Sequence, residues 1–144
     1  MSNLLTDTKV VKLAEYQSAG TSNITNADEV DMAGYETCLF IVTLGTMVND
    51  SKLNLTIHHG DTSGDLSASD ATSGDVTSDG TDDTQILLEV VKPKYRYLEP
   101  QLTIEDEDAE VENIIAVVGG PRDKATEQDD EAISDNVFLS PDTA

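Results

Sequence analysis

Short runs of Val, Ile, Leu and Thr recur along the chain between clusters of turn-forming residues, and no window carries an apolar stripe at helical spacing. The pattern predicts an all-β chain of about eight strands. A mixed segment, Lys9 to Tyr16, reads as an edge strand, followed by Ser18-Ala19-Gly20 and a second short strand near Asn23 to Asp31, with a turn at Gly34. The run Cys38 to Leu44 is apolar at both alternating positions, which predicts a central strand covered on both sides, by the other sheet and by a neighbouring subunit or loop. Lys52 to His58 alternates cleanly: Leu53, Leu55 and Ile57 share one face, Lys52, Asn54, Thr56 and His58 the other, as in a half-solvated antiparallel strand.

Gly60 to Asp83 has a different character, built almost wholly from Gly, Ser, Thr, Asp and Ala with Leu66 and Val76 as its apolar anchors. A structureless loop of that length is unusual in a compact domain, so a short hairpin around those anchors, or an exposed tip, is expected. Strands resume at Thr84 to Val91, with Ile86, Leu88 and Val90 on one face, and turn at Lys92-Pro93-Lys94. They continue through Tyr95 to Ile104, where Pro100 argues for an edge or a bulge. The acidic stretch Glu105 to Glu112 predicts a solvated turn before a last strand, Val111 to Val118, which Gly119-Gly120-Pro121 ends. Residues 1–121 therefore form one domain, and 122–144 an acidic C-terminal arm whose apolar content centres on Val137-Phe138-Leu139.

Composition narrows the class. A thin aliphatic core is implied by 38% apolar residues with no Trp, and a two-layer β-sandwich suits such a core. A charge of -21, from 29 acidic against 8 basic residues, repels polyphosphate and excludes nucleic acid as the expected ligand. The longest apolar run falls well short of the ~20 residues of a membrane helix. Residues Met1 to Glu15 lack a charged-then-apolar leader pattern, so the chain is expected to be made in the cytoplasm. The single cysteine, Cys38, sits in the most apolar run and is expected to pack as a small hydrophobe.

Candidate chemistry is sparse. His58 and His59 are adjacent, and neighbours on a strand point to opposite faces, so they do not converge on one metal ion. Asp61, Ser63 and Asp65 start like a calcium loop, but Leu66 and Thr72 stand where an EF-hand needs its turn glycine and its bidentate glutamate. The acids of Glu105 to Glu112 are expected on a wet turn, whereas a general acid needs a desolvated environment. No nucleophile elbow, Cys-x-x-Cys or phosphate loop occurs, so no enzyme activity, cofactor or metal is expected.

The order of several motifs then carries a resemblance. Gly34-Tyr35-Glu36 leads into the apolar strand, Leu53-Asn54-Leu55-Thr56-Ile57-His58-His59-Gly60-Asp61 leads into the Thr/Asp/Gly segment, and Lys94-Tyr95-Arg96-Tyr97-Leu98 precedes the closing Ile115-Ala116-Val117-Val118-Gly119-Gly120-Pro121-Arg122. Over roughly residues 8 to 122 this is similar to small proteins encoded beside major capsid genes in tailed bacteriophages, including the head decoration, or capsid cement, proteins. The resemblance implies a β-sandwich or jelly-roll body on the outer surface of the virion head, often trimeric, with the major capsid protein as partner. The contact with the shell is expected at one end of the sandwich, through Lys92, Lys94, Arg96 and Tyr97 together with Val137, Phe138 and Leu139. Two other readings stay open: a carbohydrate- or receptor-binding module using Tyr95 and Tyr97, and a head-completion or tail component of the virion.

Overall fold

The structure, a computed structural model, describes residues 7–80 and 85–120. They form an antiparallel β-sandwich of ten strands: β1 (Thr8–Ala14), β2 (Gln17–Gly20), β3 (Val30–Asp31), β4 (Thr37–Met47), β5 (Lys52–Thr62), β6 (Asp65–Thr72), β7 (Val76–Thr77), β8 (Gln85–Val91), β9 (Tyr97–Glu105) and β10 (Ala109–Gly119). The first sheet runs β1-β10-β4-β8, with β2 also on β10; the second runs β3-β9-β5-β6, with β7 also on β5. Setting aside the short β2 and β7, chain order alternates between the two sheets except at the β5–β6 hairpin, in the manner of a jelly roll, so the all-β expectation holds.

The sandwich closes because alternate positions of four long strands are aliphatic. Cys38, Phe40, Val42 and Leu44 of β4 and Val111, Ile114, Ala116 and Val118 of β10 meet Leu53, Leu55 and Ile57 of β5 and Leu98, Leu102 and Ile104 of β9, all buried. Phe40 is the only aromatic residue in that buried set, so the core is thin, as the composition implies. Burial pushes the Cys38 thiol up to about 12, which keeps it protonated and inert.

Several expectations are corrected in detail. Ser18-Ala19-Gly20, between the two expected strands, belongs to a strand of its own, β2, paired with β10. The strand expected over Asn23 to Asp31 shrinks to the two residues of β3 and an isolated bridge between Ile24 and Leu102, because few of its residues alternate. The Gly60 to Asp83 excursion contains the β5–β6 hairpin, closed at Ser63-Gly64 where Gly64 takes φ +82°. Residues 81–83 of that excursion, like Val137, Phe138 and Leu139, lie outside the described residues.

Pro100 pairs with Ile57 in an unbroken register, so there is no bulge there. Leu102 N–H donates to the Ile24 carbonyl on the side away from β5. Pro100, two residues earlier, therefore directs its missing donor to that same sparsely paired side, where β9 behaves as an edge. Finally, β4 is central in its sheet, but only one of its faces enters the core: Leu39 and Ile41 are half-buried on the outside. The expectation that both faces are covered fails for a single chain.

Candidate protein-interaction surface

The register of the first sheet places its outward residues in rows. Val10, Val117 and Leu39 lie side by side with Glu89 at the edge; Lys12, Ile115, Ile41 and Leu87 form the next row; Thr8, Gly119, Thr37 and Val91 form the row at the end of the sandwich. Seven of these outward residues are aliphatic, and Val10, Leu87 and Val91 are 41%, 59% and 57% exposed. Isolated exposed aliphatics are ordinary; a contiguous cluster across four strands marks a contact surface.

The outer wall of the second sheet is different. Lys52, Asn54, Thr56 and His58 of β5 stand opposite Glu105, Thr103, Gln101 and Glu99 of β9. Their polar groups bond one another: Thr56 Oγ1 and Thr72 Oγ1 each donate to Asn54 Oδ1 at 3.0 Å, and Asn54 Nδ2 donates to Asp75. Water suits that wall, whereas the aliphatic wall loses free energy by facing it.

Lys92, Lys94 and Arg96 sit on the connection from β8 to β9 and Tyr97 opens β9, at the end of the sandwich where Val91, Thr37, Gly119 and Thr8 align. Lys92 takes a left-handed backbone, φ +51°, held by its N–H donating to the Glu36 carbonyl at 2.6 Å. Arg96 is committed within the chain: Nε and Nη2 donate to the two carboxylate oxygens of Asp31, each at 2.9 Å. Those bonds, joined by one from Ala33 N–H, hold the Asp31 carboxyl below its ordinary range. The Arg96 guanidinium lies 5.1 Å from the Tyr97 ring centroid, and Lys94 Nζ 5.3 Å from that of Tyr95. The His59 ring meets Tyr95 edge-on at 4.6 Å. Lys92 and Lys94 are exposed and, among the described residues, have no carboxylate partner.

Four of the eight basic residues, Lys9, Lys92, Lys94 and Arg96, lie at this end, interspersed with Glu29, Asp31, Glu36, Asp61 and Asp65. The opposite end carries Glu105, Asp106, Glu107, Asp108, Glu110 and Glu112. A cavity of about 390 Å³ there is lined by Gly45, Thr46, Met47, Ser78, Gly80, Glu110 and Glu112. Its main acid is occupied: Glu110 accepts from Thr46 N–H and from the Tyr16 hydroxyl, which keep its carboxyl low and raise the phenol. A carboxylate so held stays ionised and is unsuited to donate a proton. His58 pairs with Glu99 and His59 with Leu98, so the two histidines face opposite ways, and the described residues contain no cluster of three or more metal-ligating side chains.

The aliphatic wall was legible as apolar runs at both parities in β4, β8 and β10; what sequence periodicity did not show is that these three strands are neighbours in one sheet. Glu29 escaped notice altogether. Its carboxylate accepts from Ser63 Oγ at 2.8 Å and from Gly64 N–H, fixing the β5–β6 hairpin, and nothing in its local sequence marks that role.

Fold and surface together define an acidic jelly-roll β-sandwich with one polar wall, one aliphatic wall and an end that bears exposed lysines and two tyrosines. No protein-family model and no curated protein matches the sequence.

Proposed function

We propose that this chain is a capsid decoration protein of a tailed bacteriophage, seated on the outer surface of the virion head with the major capsid protein as its partner. The observation that carries the proposal is the aliphatic wall of the first sheet running into the lysine-bearing end at Val91-Lys92. An apolar centre with a charged rim is the anatomy of a protein interface, and a strongly acidic body otherwise discourages chance association. Each copy makes modest contacts, and many copies bridging adjacent capsomers resist the pressure of packaged DNA through avidity. In this reading the protein is not an enzyme, and its oligomer, a trimer by the resemblance, uses surfaces other than this wall.

The carbohydrate reading loses ground because Tyr95 and Tyr97 are half-buried and flanked by His59, Lys94 and Arg96. An open aromatic platform is what a sugar face needs. The test is co-sedimentation of the purified chain with intact heads and, separately, with disassembled capsid protein. Binding to intact heads alone, lost in Ile41→Asp and Leu87→Asp, is expected. Absence of binding to intact heads, or binding unchanged in both variants, overturns the proposal.

A further inference from the structure

We infer that in the free protein the aliphatic wall of the first sheet is covered by the chain's own Val137-Phe138-Leu139 segment, which docking on a scaffold must displace. The inference names what holds the proposed docking face before assembly and in that respect rests on the proposed function; the coverage itself rests on size, reach and charge.

Size argues against a second copy as the cover. The apolar part of the wall spans three strand spacings by about seven residues, roughly 300 Å² from standard sheet dimensions. A stable interface between subunits needs about 800 Å² from each. Two copies would also bring charges of -21 together. A short apolar segment fits the area without either difficulty.

Reach selects which segment. The described chain leaves the sheet at Gly120, beside Glu36, whose carbonyl holds Lys92. Val137 stands seventeen positions after Gly120. A flexible tether of that length has a root-mean-square span of roughly 23 Å. Crossing from the Gly120 end to Leu87 takes about 15 to 20 Å along the rows and across the strands, so tether and span match and the local concentration is on the order of millimolar. Leu4 and Leu5 are the apolar pair that precedes the described chain at this end. Leu5 precedes Thr8 by three positions and reaches at most about 10 Å, which leaves Ile41 and Leu87 beyond it.

Charge supports the path. Between Gly120 and Val137 stand six acids, Asp123, Glu127, Asp129, Asp130, Glu131 and Asp135, against Arg122 and Lys124, and the described chain ends next to the exposed Lys92 and Lys94. The acids have lysines to lie against on their way to the wall.

Methyl NMR on the full-length chain tests this. With Phe138 on the wall, its ring shifts the methyls of Leu39, Ile41 or Leu87; Phe138→Leu removes the ring-induced shift, and triple serine replacement at 137–139 moves those methyls further while Ile114, in the core, stays put as the check on folding. Shifts identical in all three chains overturn the inference. So does a shift that depends on protein concentration, which assigns the segment to a second copy, or one that vanishes instead in Leu4→Ser/Leu5→Ser. Binding to intact heads is measured in parallel: the triple-serine chain is expected to bind severalfold more tightly. Unaltered methyls with intact binding sink the cover alone, and altered methyls with no binding by either chain sink the docking role alone.

Discussion

Ile86 and Leu87 are neighbours on β8, and the sandwich assigns them opposite fates: Ile86 is 7% exposed and Leu87 59% exposed. Replacing each by alanine therefore measures which face of the first sheet is the core. For Ile86→Ala, loss of buried methyl groups plus an incompletely collapsed cavity costs about 2–5 kcal/mol, and the edge position of β8 favours the lower half of that range. For Leu87→Ala only about two fifths of the side chain's burial is at stake, so about 0.6–1.2 kcal/mol is lost from the roughly 1.5–3 kcal/mol that full burial contributes. In a domain of this size each kcal/mol lowers the melting temperature by roughly 4 °C. Ile86→Ala is then expected to melt about 8–12 °C below the parent, and Leu87→Ala about 2–5 °C below. Urea titrations followed by far-ultraviolet circular dichroism give both free energies from one apparatus. Equal losses, or a larger loss at Leu87, would refute the assignment, because a one-residue slip exchanges the two faces of a strand.

Gly60 of β5 has the Asp65 carbonyl oxygen 2.5 Å from where a side-chain carbon would stand, so Gly60→Ala must push β6 aside and is expected to cost about 1–3 kcal/mol by thermal melting. Cys38, buried and held protonated, should resist thiol reagents at mildly alkaline pH until the protein is unfolded; rapid native labelling would place it elsewhere. Asp31 is held low mainly by its bonds to Arg96, so its contribution to stability is present above about pH 4 and fades as pH falls through the folded-state pKa. Asp31→Asn should flatten the acid side of the stability curve and leave its shape near neutrality unchanged, and an unaltered acid slope would show that the pair does not persist in solution.

Much of the sandwich was written in strict alternation: Leu53, Leu55 and Ile57 are buried as their spacing predicts, and so is Ile86. The wider layout was not local information. β2 forms from Gln17 to Gly20, a segment with little strand propensity, because β10 offers it an open edge. β5 continues through His58, His59 and Gly60 because β6 folds back on it, with Glu29 fixing the turn from a distant part of the chain. The lysine-bearing end was legible as the Lys92 to Tyr97 cluster. The commitment of Arg96 to Asp31 was not, since the two are brought together only when β3 pairs with β9.

The central claim, that the aliphatic wall and the lysine-bearing end meet a capsid while the polar wall faces water, is tested most directly by lysine footprinting of the chain bound to intact heads. Lys12 lies on the first wall, Lys92 and Lys94 at the adjoining end, and Lys52 on the second. Acylation that spares Lys12, Lys92 and Lys94 while still marking Lys52 is the predicted result. Protection of Lys52 with the other three still modified would contradict it.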